Sequence, residues 1–188
     1  SGAGSFTKRG AGNLDLTGTS PFSGATTVAA GKLSVNGALA SSAVTVQSGA
    51  TLGGTGTVGA TTIQAGGAIA PGNSIGTLNV HGNLTLAPGS TYEVEIAGNG
   101  TSDRIAVTGI ASMTGSQVGV TALDPQASYV NGQRYTILTA TGGVSGGTPA
   151  AVSRSAFLDL SVDRQSNQVD LVITVKGAPP VTPPVTPP

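Results

Sequence analysis

Val44-Thr45-Val46-Gln47-Ser48-Gly49-Ala50-Thr51-Leu52 returns 17 residues later as Thr61-Thr62-Ile63-Gln64-Ala65-Gly66-Gly67-Ala68-Ile69. Val46 falls on Ile63, Gln47 on Gln64, Gly49 on Gly66 and Leu52 on Ile69. Upstream, Thr27–Leu33 fits the same template with Val28 on Val46 and Gly31 on Gly49; downstream, Leu84–Tyr92 fits it with Leu86, Gly89 and Tyr92. A second phrase recurs as LSVNG (33–37) and LNVHG (78–82), which places His81 at the position of Asn36. Each unit holds short apolar/polar alternations bounded by glycine, the pattern of brief strands. One such unit cannot bury its apolar face. Stacked on its copies it lines a continuous narrow core and pairs its backbone with the units above and below. Fixed-period repeats of this size read as a solenoid. The fold class expected is all-β: a right-handed parallel β-helix with a C-terminal β cap.

The composition agrees with that reading. Among 188 residues there are 30 glycines, no tryptophan, no cysteine, three Phe and three Tyr, so an aromatic-rich globular core is excluded. From Leu33 to Tyr92 there is no Asp, Glu, Lys or Arg, which suits strands and turns with Thr, Ser and Asn on the wet face. Eight acidic and eight basic residues give a formal net charge of zero and no attraction to nucleic acid. The absence of cysteine excludes disulfides and thiolate metal sites. Glycine and polar residues interrupt the uncharged stretch too often for a membrane helix, and six aromatics are too few for the girdles of a membrane barrel. Ser1-Gly2-Ala3-Gly4 reads as an internal start without a signal peptide.

The texture changes near Tyr92. Longer alternating strands are expected at 91–96, 104–107, 117–123, 135–140, 157–162 and 168–175, with a hairpin connection at 163–167. Tyr135, Ile137, Leu138, Phe157 and Leu160 are expected to supply the larger apolar side chains that close the open end of the solenoid, whose last turn would otherwise expose core and pairing edges. Residues 177–188, GAPPVTPPVTPP, read as an extended linker. The chain thus divides into rungs at 1–96, a cap at 97–176 and a proline-rich linker at 177–188.

Several matches to functional motifs read as structure. Gly54-Thr55-Gly56-Thr57-Val58-Gly59 fits GxGxxG, yet a strand comes next where a dinucleotide site needs a helix. Gly53-Gly54-Thr55-Gly56 lacks the carboxylates of a calcium-binding repeat. His81, the single histidine, has no nearby charged partners for catalysis. Glu93 and Glu95 share the solvent face of one strand, opposite Tyr92, Val94 and Ile96, and lack the aromatic cleft of a glycosidase. Asp103 and Arg104 point to opposite faces, each tying a turn or a neighbouring strand. Asn83-Leu84-Thr85 and Asn99-Gly100-Thr101 match the glycosylation acceptor pattern. No residue is assigned to catalysis, to a cofactor or to a metal.

The succession of phrases resembles bacterial autotransporter passengers. KRGAGNLDLTGTSPFSGATTVAAGKLSVNG (8–37) resembles the passenger-associated transport repeat, and residues 49–86 resemble the rungs that come after it. SDRIAVTGIASMTGSQVGV (102–120), YVNGQRYTILTATGGVSG (129–146) and FLDLSVDRQSNQVDLVI (157–173) resemble the autochaperone segment. The resemblance implies a non-catalytic stem and autochaperone, exported through the periplasm to the cell surface. It also implies a C-terminal outer-membrane β-barrel and an N-terminal effector on the same polypeptide. The opening phrase is similar to the segment C-terminal to the protease domain in subtilisin-like autotransporters. An adhesin that meets a host surface or its own copies is the alternative.

Overall fold

A computed structural model describes residues 4–177. The chain winds through seven turns, each contributing one strand to each of three sheets. The first turn holds β1 (Phe6–Lys8) and β2 (Asn13–Leu16), and a single bridge from Thr19 to Ala38 stands in for its third strand. The next turns hold β3 (Thr26–Val28), β4 (Gly31–Val35) and β5 (Ala38–Leu39); then β6 (Val44–Val46), β7 (Ala50–Gly54) and β8 (Thr57–Val58); then β9 (Thr61–Ile63), β10 (Ala68–Pro71) and β11 (Thr77–Val80). Above them lie β12 (Leu84–Leu86), β13 (Thr91–Ile96) and β14 (Arg104–Val107), and then β15 (Ala111–Ser112), β16 (Gln117–Ala122) and β17 (Arg134–Ala140). The last turn holds β18 (Val144–Ser145) and β19 (Ala150–Ser153), and the chain ends in a hairpin of β20 (Leu158–Arg164) and β21 (Gln168–Val175). The architecture is a parallel β-helix.

Sheet A stacks β1-β3-β6-β9-β12-β15-β18 and sheet B stacks β2-β4-β7-β10-β13-β16-β19, parallel throughout. Sheet C runs β5-β8-β11-β14-β17 in parallel; β21 then lies antiparallel on β17, and β20 antiparallel on β21. Inward positions form vertical ladders. One ladder on sheet B runs Leu14, Leu33, Leu52, Ile69, Tyr92, Val118 and Ala151, and one on sheet A runs Val28, Val46, Ile63 and Leu86. From Val28 to Leu86 these side chains are fully buried, each contributing about 1.5–3 kcal/mol by leaving water.

Corner glycines let the chain turn sharply enough to stack. Gly49, Gly66 and Gly89 take φ of 76°, 75° and 78°, a conformation that L-residues with a Cβ avoid. Their amides donate one to the next: Gly49 to the Gly66 carbonyl, Gly66 to Gly89 and Gly89 to Gly115, all at 2.9 Å. The first corner is built differently. Residues 9–12 wrap around the ammonium of buried Lys8, which donates to the carbonyls of Gly10, Gly12 and Ala30.

The spacing between stacked turns, 20 residues from Phe6 to Thr26 and 18 from Thr26 to Val44, grows only from the third turn onward. Val44 lies 17 residues before its partner Thr61, Leu84 lies 27 before Ala111, and Ala111 lies 33 before Val144. Sheet lengths stay near one another, and the added residues go into the connections at 97–103 and 123–133.

Four expectations need correction. Gly31 pairs with Ala50 and not Gly49, because the corner after β6 is one residue longer than the corner after β3. The LSVNG and LNVHG phrases are not equivalent: Leu33–Val35 is in sheet B and Leu78–Val80 in sheet C. A triangular turn has several strand-to-glycine junctions, and short phrases cannot tell them apart. His81 is exposed beyond β11, whereas Asn36 is stitched to Asp15 and Asn73 on another edge. Phe157 precedes β20 and is only half-buried, its ring 5.8 Å from that of Tyr129; Leu158 fills the core instead. Leu160 is likewise only partly buried, on the outermost strand of sheet C. The proline-rich segment lies outside the described residues from 178 onward.

Candidate functional site

The densest polar construction lies where β13 leaves sheet B. Beyond Ile96 the chain doubles back, with Ala97 N–H donating to Thr101 O and Asp103 N–H to Glu95 O, both at 2.9 Å. The Ile96 and Ala97 carbonyls accept backbone donors, Leu123 N–H (3.0 Å) and Gly100 N–H (3.1 Å), and side chains from the β16–β17 connection and from β17 itself add to them. The Tyr129 hydroxyl donates to Ile96 O (2.9 Å) and accepts the Asp124 N–H (3.1 Å). The Tyr135 hydroxyl donates to Ala97 O (3.0 Å), and the Asp124 carboxylate accepts the Gly98 N–H (2.8 Å). A buried hydrogen bond contributes roughly 0.5–1.5 kcal/mol, and each pin ties two successive turns together. Burial pushes the phenol pKa of both Tyr92 and Tyr135 up. All three tyrosines are buried hydrogen-bond donors.

Asp103 anchors the lower side of the same junction. Its carboxylate is 2% exposed and accepts the N–H groups of Gly76 and Glu95, both at 2.9 Å, tying the loop before β11 to the end of β13. Burial raises its pKa to about 6, against the two amide donors and the charge of Lys32, with Glu95 adding to the rise. Arg104, the next residue, points outward. The expected division of the pair between opposite faces is the one observed.

The solvent face of sheet B carries two long side chains laid flat over glycines. A Cβ on Gly53 would meet Lys32 Cε at 2.7 Å, and one on Gly119 would meet Glu93 Oε2 at 2.5 Å and Arg154 Nη2 at 3.0 Å. Glu93 pairs with Arg154 there, 61 residues away in sequence, while Glu95 meets Asp103 through its backbone N–H and carbonyl. A shallow depression bounded by Lys32, Asn73, Glu93, Glu95 and Asp103 results. Glu93 and Glu95 therefore share the face expected of them but work through separate partners.

Gly54, Gly56 and Gly59 are explained by close stacking. A Cβ on them would approach the carbonyls of Val35, Gly37 and Ser42 to 2.2, 2.0 and 2.3 Å, and strands β8 and β9 occupy the place a dinucleotide fingerprint gives to a helix.

A second polar group locks the hairpin. Asp170, 3% exposed, accepts from Arg134, Thr136 and Gln168, and Arg134 also pairs with Asp163. Burial alone would raise the Asp170 pKa; hydrogen bonds from Gln168, Thr136 and Arg134 hold it below the usual carboxylate value. At the far end, the Val144 N–H donates to Ser166 O (2.7 Å) and Arg164 Nη2 donates to Val144 O (2.5 Å), so the hairpin turn covers the last strand of sheet A. The tyrosine pins, Lys8 and Asp170 escaped the sequence reading. The one usable signal was that all three tyrosines, Tyr92, Tyr129 and Tyr135, fall from residue 92 onward in a chain with only three other aromatics.

Residues 6–35 match the family described as passenger-associated-transport-repeat. The chain is 41% identical over 181 residues to an extracellular serine protease of Serratia marcescens, covering 93% of the chain and 17% of that protein. It is 35% identical over 186 residues to another extracellular serine protease of Serratia marcescens, covering 94% and 18%. It is 49% identical over 61 residues to the adhesin BmaC autotransporter of Brucella suis biovar 1 (strain 1330), covering 31% and 2%. The chain thus spans less than a fifth of the length of the serine proteases it matches.

Proposed function

This chain is part of an autotransporter passenger, exported to the cell surface or beyond, and from that premise we propose that it is the passenger's non-catalytic stem, with residues 97–176 serving as the autochaperone. The observation that carries the reading is how the upper end is built: an antiparallel hairpin closes sheet C and reaches over sheet A. A hairpin closes from local contacts, whereas each parallel turn needs a neighbour already in place to pair with. A chain emerging C-terminus first meets the hairpin and its tyrosine pins before any stem turn. Growth then proceeds toward β1, one turn at a time.

On this reading residues 1–96 are rungs, and the partners are an outer-membrane β-barrel and an N-terminal effector on the same polypeptide. The names of the two Serratia marcescens relatives support a serine protease as that effector, with its catalytic residues outside the chain. The test is surface display of the complete polypeptide. Replacing Tyr129 and Tyr135 together by Ala should leave the passenger's amount in the membrane unchanged while making its surface-exposed part sensitive to added protease from end to end. Leu33→Ala and Leu52→Ala together should open only the stem. Equal, local sensitivity from both pairs would remove the autochaperone role.

An adhesin is the second reading, favoured by the 61-residue match to the Brucella suis adhesin. It is tested by binding of the purified chain to host cells and to itself.

A further inference from the structure

β17 is the strand on which sheet C changes from parallel to antiparallel pairing, and its own pattern breaks there. Tyr135, Ile137, Leu138 and Ala140 are all buried, so two inward residues stand side by side. Strict alternation fixed by the Ile105–Leu138 pair would turn Arg134 and Thr136 into the core and Tyr135 and Ile137 out of it. A bulge removes the conflict. Against β21, Thr136 faces Asp170 and Leu138 faces Val169, and Ile137 has no partner. The Tyr92 hydroxyl, on sheet B and one turn below, reaches across the core and donates to the carbonyl of this extra residue at 2.5 Å.

We propose that the Tyr92 hydroxyl is the register lock of β17, and thereby sets where parallel stacking ends and the closing hairpin begins. Its neighbours on the same ladder are Leu14, Leu33, Leu52, Ile69, Val118 and Ala151, so packing alone calls for an aliphatic or small side chain here. Tyrosine differs by reaching across the core with a donor, and it does so in the turn directly beneath the bulge. In the unbulged register Tyr92 would lose its acceptor, and Arg134 and Thr136 would leave Asp170. The lock and the Asp170 cluster therefore select the same register from opposite faces of one strand. This assignment stands whether or not the cap folds first during export.

The test is hydrogen exchange on the chain carrying Tyr92→Phe, which keeps the ring and removes only the donor. Loss of one buried hydrogen bond should accelerate exchange roughly ten- to hundredfold at residues 136–139 and 168–172, leaving β6 and β7 at their original rates. Tyr129→Phe, which removes a comparable bond, should accelerate the 123–133 connection and spare β21. Deleting Ile137 abolishes the bulge, and in that background Tyr92→Phe should add nothing. The proposal is overturned if Tyr92→Phe leaves residues 136–139 and 168–172 unchanged or accelerates β10 and β16 beside the ring just as much. It is equally overturned if Tyr92→Phe has the same effect with and without Ile137.

Discussion

Asp103 shows how one side chain can set the pH response of an otherwise nearly uncharged solenoid. Its folded-state pKa, raised by burial to about 6, lies above the ordinary aspartate value. Folding therefore takes up a proton, and the stability this provides is complete below about pH 4. It is lost as pH rises through about 6. Urea midpoints for the chain should fall over this interval, with a loss of up to about 2 kcal/mol, and Asp103→Asn should flatten the profile. Asp170 acts in the opposite sense, since its lowered pKa gives stability that is lost only in stronger acid. A titration of midpoints from pH 3 to pH 8 separates the two. Side-chain size gives a second prediction. Leu158→Ala empties a fully buried site and should cost about 3 kcal/mol, whereas Phe157→Ala, at a half-buried rim position, should cost about 1–2 kcal/mol. A larger loss for Phe157 in chemical denaturation would contradict the burial pattern. The sequence could not rank these neighbours, because alternation around them is interrupted by the turn before β20. Lys8 was equally hidden, for its acceptors are backbone carbonyls, and that of Ala30 comes near only after stacking.

The strands themselves were legible because each is bounded by glycine and alternates around one outward Thr, Ser or Glu. All six upper strands were placed to within a residue or two from alternation alone, and 91–96, 104–107 and 168–175 without any shift. What alternation cannot carry is a position that depends on a distant turn. The bulge at Ile137 and the two non-equivalent glycine phrases are of that kind. The elements also differ in how damage spreads. Val46 sits in a ladder whose neighbours are one turn above and below, so Val46→Ala should cost about 1–2 kcal/mol and open β3, β6 and β9 only. Loss of Leu158 touches the hairpin on which the last turns of sheets A and C depend. Limited proteolysis should therefore give a few stem cuts for Val46→Ala and cuts throughout 97–176 for Leu158→Ala. The reverse distribution would place the governing element in the stem.

Across the whole molecule, turns contact mainly their neighbours, so unfolding should obey a nearest-neighbour scheme and start at the end farthest from the hairpin. The bonds between turns run along the long axis, while the residues held in each turn increase from 17 between Val44 and Thr61 to 33 between Ala111 and Val144. That gradation has a mechanical meaning. A chain stretched by its two ends would shed turns singly, and each would release a length set by its own perimeter. At full extension an early turn frees roughly 60 Å and the last parallel turn roughly 110 Å. Single-molecule stretching should record near-equal extensions from the first three turns and rising ones after them, the hairpin yielding last. The molecule is thus a ruler whose divisions are even at one end and widen toward the other, and tension would be absorbed first, and in short increments, at the end farthest from the hairpin.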